Sequence, residues 1–192
     1  MSLHTRDRLL EAAKQLFSEK GYHETRVSDI VSKAEVAQGT FYIYFKSKED
    51  IFLQLIKKIH KELLDKLSKY KEVSEEPQTV LGMVVDEFLE EVYKNRELSQ
   101  IFFGQLLGIN EEFRQLYIKK ISDIQQILKD ILSKFYDQET SAVLSTLVLG
   151  FLRQLFFNCL IEKNLTLEQM KKKASTVLDI INRGVYPEVK KF

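Results

Sequence analysis

Between Gln38 and Phe45 the sequence places hydrogen-bonding and aromatic side chains at helical spacing. Gln38 and Tyr42 stand one turn apart, as do Thr40 and Tyr44, and all four can donate or accept hydrogen bonds. Phe41 and Phe45, also one turn apart, form an apolar ridge that neighbouring elements must bury. A short helix so divided can offer its other face to base edges, thymine methyls and phosphates, with its N-terminal end laid in a major groove. Gly39 lacks a side chain where backbone would come nearest to a duplex. Upstream, Thr25, Arg26 and Ser28 open a second apolar stripe and can reach phosphates with help from a helix dipole. Lys48 can do the same from the other side. The expected contact set is therefore Thr25, Arg26, Ser28, Gln38, Gly39, Thr40, Tyr42, Tyr44 and Lys48. Taken singly, each tyrosine is as well explained by packing, with its hydroxyl parked on a backbone group.

The elements that must hold these residues are helices. Two prolines and seven glycines punctuate 192 residues dominated by Leu, Ile, Lys and Glu, so an all-α chain is expected. Leu9, Leu10, Ala12, Ala13, Leu16 and Phe17 recur at helical spacing, with Thr5 as a candidate cap and Gly21 as a left-handed stop. Val27, Ile30, Val31 and Ala34 make a second short stripe, separated from the Phe41–Phe45 ridge by a tight turn. Ser47 and Asp50 frame a capping box before a long amphipathic run from Ile51 to Leu67. Lys71 to Gln78 reads as a loop, with Pro77 as a first helical residue. Further helices are expected near 78–94, 96–108, 111–135, 138–163 and 167–184, capped by Asn95, Asn110, Asp137 and Thr166. That makes about nine helices in all.

The block from Gly21 to Asp50 resembles the DNA-binding half of the tetracycline-repressor (TetR) family. Matching elements are Gly21-Tyr22, Thr25, Val27, Asp29-Ile30, Ala34, Val36, Gly39-Thr40-Phe41-Tyr42, Tyr44-Phe45 and Ser47-Lys48-Glu49. A register of about 30 residues is far more specific than any lone short motif. Three positions depart from the family pattern: Glu35 where the turn usually has glycine, Ala37 where a capping serine is common, and Arg26 where a second threonine usually caps. Each departure costs about 1 kcal/mol, which a fold tolerates. The resemblance implies a three-helix helix-turn-helix domain over residues 1–48 and a helical ligand-binding and dimerisation domain over 49–192.

Val143 to Ile161 is apolar around almost its whole helical circumference, so it must bury one side in its own core and another against something else. By the resemblance, the last two helices of each subunit form a two-fold four-helix interface, with Leu147, Phe151, Leu155, Val177 and Ile181 as the expected contacts. Gly150 would permit close approach. A helix central to a monomer is the plainer alternative. An effector site is likewise implied by the family, with Phe102, Gln105, Leu106, Phe113, Tyr117, Arg153 and Phe156 as candidate lining. Arg153 is a cation within an apolar run and needs an acidic neighbour, solvent or an anionic ligand. A large hydrophobic effector, such as an acyl thioester of coenzyme A, would suit that lining.

Composition narrows the alternatives. The formal charge is +1, and eight basic residues up to Asp50 are balanced by eight acidic ones, so bulk charge does not argue for nucleic acid. Cys159 is alone, which rules out an internal disulfide and suits a reducing compartment. No charged-then-apolar leader is read at the start, and the apolar stretch Leu144 to Leu152 stops at Arg153, so a cytoplasmic protein without a membrane span is expected. His4, His23 and His60 show no metal spacing, and no glycine-rich phosphate loop exists, so neither an enzyme nor a cofactor is expected. The resemblance implies a homodimeric repressor of a palindromic operator, released by a small hydrophobic effector through a population shift transmitted by the fourth helix. A helical protein-binding adaptor stays open beside it, as does an effector that promotes DNA binding.

Overall fold

The computed structural model describes residues 3–102, 111–162 and 165–185. Among these the chain forms nine α-helices and no strand: α1 (Leu3–Lys20), α2 (Val27–Lys33), α3 (Gln38–Tyr44), α4 (Lys48–Ser68), α5 (Pro77–Lys94), α6 (Arg96–Ile101), α7 (Glu111–Leu132), α8 (Gln138–Glu162) and α9 (Leu167–Val185). A single 3-10 turn, Lys69–Glu72, follows α4. The all-α expectation holds.

The caps show why the helices stop and start where they do. Gly21 adopts φ +82°, and its N–H donates to the Phe17 carbonyl at 3.0 Å, which ends α1 in the left-handed turn expected of glycine. The Asp50 N–H donates to Ser47 Oγ at 3.2 Å, while the Asp50 carboxylate accepts from the Lys46 N–H at 2.8 Å rather than closing a box on Ser47. Asp137 accepts from the Thr140 N–H at 2.9 Å, and Thr166 and Gln169 exchange hydrogen bonds at 2.8 and 3.2 Å, a closed capping box. Three expectations change. Thr5 lies inside α1, Asn95 makes no capping hydrogen bond with its side chain, and α7 ends at Leu132, after which Phe135 and Tyr136 turn back onto the Leu132 carbonyl. Asn110 and residues 103–108 lie outside the described residues.

The chain divides into two compact units, Met1–Lys61 with Asn95–Tyr117, and Glu62–Lys94 with Ile118–Phe192. The first is built around Leu9, Leu10, Ala13 and Phe17 of α1, Ile30 of α2, Phe41 of α3, and Ile51, Phe52 and Leu55 of α4, all essentially without solvent exposure. Leu98 and Ile101 of α6, Phe102, and Phe113 and Leu116 of α7 belong to the same core. Its aromatic centre is tightly set, with Phe17 and Phe52 edge-to-face at 5.4 Å and Phe102 and Phe113 at 6.0 Å.

The second unit packs α9 along α5 and α8 around Val80, Val84, Leu89, Leu128, Val148, Leu152, Met170 and Ala174. Lysines tie its helices together at the surface: Lys171 reaches Glu90 at 2.5 Å, and Lys66 reaches Glu87 at 3.0 Å and the buried Glu91 at 2.8 Å. By length and composition α8 could cross a bilayer, with mean hydropathy 1.5 over Gln138–Asn158, contrary to the shorter span expected. Its Leu144, Val148, Leu149 and Leu152 are nevertheless buried against protein.

Phe41 is fully enclosed, so Phe41→Ala leaves a cavity and is expected to lower unfolding free energy by about 3–5 kcal/mol in urea titrations. Tyr42→Ala, at an exposed neighbour, should stay within about 0.5 kcal/mol of the parent chain. Equal losses from the two would show that α3 is not anchored by Phe41.

Candidate nucleic-acid interface

α2 and α3 are joined by four residues, and each departure from usual turn chemistry is compensated locally. Arg26 holds the N-cap position of α2 without a side-chain cap, but its N–H donates to Asp29 Oδ2 at 3.1 Å. That hydrogen bond, with Lys20 nearby at 3.6 Å, holds the Asp29 carboxyl below the usual carboxylate range. Glu35 takes φ +50°, the left-handed conformation in which glycine would be unstrained. The Arg8 guanidinium donates to the carbonyls of Ala34 and Glu35 and sits 3.4 Å from the Glu35 carboxylate, so α1 clamps the strained turn. Ala37 starts α3 without a side-chain cap, and the Thr40 N–H closes the first turn on the Ala37 carbonyl at 2.9 Å.

Burial of Phe41 and Phe45 then decides which side of α3 faces outward. Gln38, Gly39 and Tyr42 are exposed and Thr40 is half-buried, while Arg26 and Ser28 lie exposed at the start of α2. A Cβ at Gly39 would meet nothing within 4 Å. Tyr44 differs from expectation: it packs on the first core beside Phe45, and its buried hydroxyl finds no hydrogen-bond acceptor or donor. Two exposed side chains of this segment were not singled out from sequence, Ile43 at 61% exposure and Lys46 just past the helix. The signal for Ile43 was the wheel itself, because residue 43 lies about 200° round the helix from Phe41.

Thr25 and Lys48 serve the scaffold. Thr25 is fully buried, and its hydroxyl donates to the carbonyls of Gly21 at 2.7 Å and Leu16 at 3.3 Å, closing the end of α1. The Lys48 ammonium donates to the carbonyls of Tyr22, Thr25 and His23 at 2.8, 3.0 and 3.4 Å and lies 4.4 Å over the Tyr22 ring. All three ammonium protons are thereby used to fasten α4 to the α1–α2 loop. Burial, reinforced by the Glu49 carboxylate, pushes the Tyr22 phenol far above its ordinary range and keeps it neutral.

The residues expected at an effector site fall in both units. Phe102 and Phe113 are enclosed in the first core and Tyr117 is packed against it. Arg153 and Phe156 belong to the second unit, and Gln105 and Leu106 lie outside the described residues. Phe156 is buried, whereas Arg153 is exposed at the edge of a cleft of about 170 Å³ lined by Ile121, Gln125, Thr146, Leu149 and Gly150. Of the expected interface residues, Leu147 is 55% exposed and Val177 half-buried. Phe151 and Ile181 are half-buried against their own core, and Leu155 is turned fully into it. Val143, Phe157 and Ile180, each more than half exposed, complete an apolar surface that the sequence reading had not assigned residue by residue.

Comparison with known proteins agrees with this architecture. Residues 9–55 match the family described as bacterial regulatory proteins, tetR family, and residues 78–181 match the tetracyclin repressor-like C-terminal domain. A transcriptional regulator (TerR/AcrR family) from Aquifex aeolicus is 36% identical, with a TM-score of 0.76, covering 92% of this chain and 99% of that one. The fatty acid metabolism regulator protein of Bacillus subtilis is 25% identical over 184 residues, 93% of this chain and 94% of that protein. The crystal structure of the transcriptional regulator FadR from Bacillus subtilis in complex with stearoyl-CoA shares the fold, with a TM-score of 0.73 at 22% identity over 94% of this chain and 99% of that one. Both halves thus match, in order, the two halves of one family, and this chain belongs to the tetracycline-repressor (TetR) family of bacterial transcriptional regulators.

Proposed function

We propose that this chain is a ligand-responsive repressor that grips a palindromic operator as a homodimer and lets go when a hydrophobic effector binds. The observation that carries the reading is the division of α3, with Phe41 and Phe45 buried and Gln38, Gly39 and Tyr42 turned to solvent. A seven-residue helix with that polarity, held behind a tight turn, suits insertion in a major groove. Gln38 and Tyr42 then meet base edges, the bare backbone of Gly39 lies nearest the duplex, Thr40 reaches a phosphate, and Arg26 and Ser28 hold the strand from α2. Thr25, Tyr44 and Lys48 position this surface from behind it, and the exposed Lys46 adds a phosphate contact.

The second unit supports the dimer reading. On α8, Val143, Leu147, Gly150, Gln154 and Phe157 are exposed at alternating spacings of four and three, the seam of a helix awaiting another helix. Val177 and Ile180 extend that surface on α9. A second copy covers it with two-fold symmetry and sets two α3 helices for half-sites about 34–36 Å apart. A dimer doubles the contacts that a single weak half-site reader can make.

For the effector, the shared first core is the useful feature. Phe102, Phe113 and Tyr117 pack with α1 and α4, so a ligand that displaces α6 or the start of α7 perturbs the core behind α3. Binding that prefers the displaced state weakens operator affinity by the same free-energy difference. The fatty acid metabolism regulator among its relatives, and the FadR structure of the same fold in complex with stearoyl-CoA, support an acyl-coenzyme A thioester as the ligand class. We read the protein as a cytoplasmic DNA-binding protein without enzymatic activity, cofactor or membrane attachment.

Operator binding is tested by selecting duplexes from random sequence and measuring affinity against salt. Arg26→Ala is expected to weaken binding and to reduce the salt slope by about one per half-site. Lys48→Met should instead lower the melting temperature, because three carbonyls lose their donor, with a smaller change in slope. Failure to select any sequence-specific duplex would leave a protein-binding adaptor in place of the repressor. A Leu147→Glu, Ile180→Glu double variant should sediment as a monomer and bind the operator at least tenfold more weakly, since charges are buried on pairing. A long-chain acyl-CoA titrated into the complex is expected to release the duplex at concentrations where free fatty acid does not. No release across micromolar concentrations would sink that ligand class.

A further inference from the structure

The outermost line of α3 runs through Gly39 and Ile43 rather than through the polar residues beside them. Phe41 and Phe45 define the buried side, and a step of about 100° per residue sets Gly39 and Ile43 opposite, with Tyr42 on one flank and Thr40 on the other. The exposures agree: Ile43 is 61% exposed, Tyr42 56%, and Thr40 half-buried. Gly39 carries no side chain one turn earlier, and a Cβ there would meet nothing, so Ile43 is the tallest apolar point on the crest. Its own unit offers it no shelter, although the same unit encloses Ile30, Ile51 and Ile56 at 3% exposure or less.

An isoleucine has no hydrogen bond to give a base or a phosphate. The major groove presents a single type of apolar group, the C5-methyl of thymine. We infer that Ile43 is a specificity-determining residue that packs against a thymine methyl in each half-site of the operator. This rests on operator binding through α3, and it adds which base chemistry the crest of that helix selects. The contact discriminates thymine from cytosine at its position by shape and apolarity, while Tyr42 beside it and Gln38 at the start of the helix read hydrogen-bonding edges. Ile43 is also β-branched, so its side chain holds one rotamer in the helix and reaches the groove floor with little ordering to lose.

The test uses the full-length chain and a duplex selected by it from random sequence. Each thymine in the half-site is replaced in turn, symmetrically, by deoxyuridine, which removes the methyl and keeps every hydrogen bond. One position is expected at which the parent chain loses about fourfold in affinity per half-site, the effect of uncovering one methyl group. At that position Ile43→Ala should show no further loss, whereas Ile43→Val should keep most of it. Melting curves of both variants should match the parent, because the side chain is exposed. Three results overturn the inference: insensitivity of the parent to every methyl removal, equal sensitivity of Ile43→Ala at the responding position, or selected half-sites without thymine under α3. Each of them leaves selective duplex binding standing; only its absence would remove the operator reading, and this inference with it.

Discussion

The molecule's working surface depends on the burial of two phenylalanine rings. Phe41 and Phe45 are 0% and 1% exposed, with centroids 5.5 Å apart, and they press α3 against α1, α2 and the start of α4. A helix of seven residues has little stability of its own, because nucleating it fixes many dihedrals for few hydrogen bonds. Tertiary packing supplies the stability and the orientation together. Everything that α3 turns outward is outward because those rings are inward.

A surface held this way requires the loops around it to be held as well, and cations do that here. Arg8 clamps the α2–α3 turn through the Ala34 and Glu35 carbonyls, so a non-glycine residue sits at φ +50°. Lys48 gathers three carbonyls of the α1–α2 loop, and Thr25 closes the end of α1 from inside. Charge in this half of the chain is therefore spent largely within the fold, which accounts for a nucleic-acid-reading unit with eight basic and eight acidic residues up to Asp50. Arg26 and Lys46 stay exposed beside α3, so local placement rather than net charge distinguishes this face.

The first core also joins segments distant in sequence. Leu98, Ile101, Phe102 and Phe113 lie far along the chain from α1–α3, yet they belong with Leu9, Phe41 and Phe52 to one continuous apolar cluster. Close-packed interiors transmit displacement rather than absorb it. The divisions after Lys61 and after Tyr117 fall inside α4 and α7, whereas the one after Lys94 coincides with the end of α5.

Sequence by itself determined the helices and the reading motif. Their periodicity is strong, their caps at Gly21, Asp137 and Thr166 act locally, and the block from Gly21 to Asp50 keeps one register. Local signals of this kind depend on neighbours within about four residues, which a sequence displays directly. Tertiary structure decided which side chains of that motif are exposed and which are committed to the fold. Thr25, Tyr44 and Lys48 have side chains suited to contacting a duplex, but their hydrogen bonds or burial are committed inside the fold, while Ile43 looks like core and stands at the crest. The same holds for Leu155, apolar like Leu147 but turned into its own core. Which face of a helix is covered is fixed by partners distant in sequence, and a composition suited to either face carries no mark of the choice.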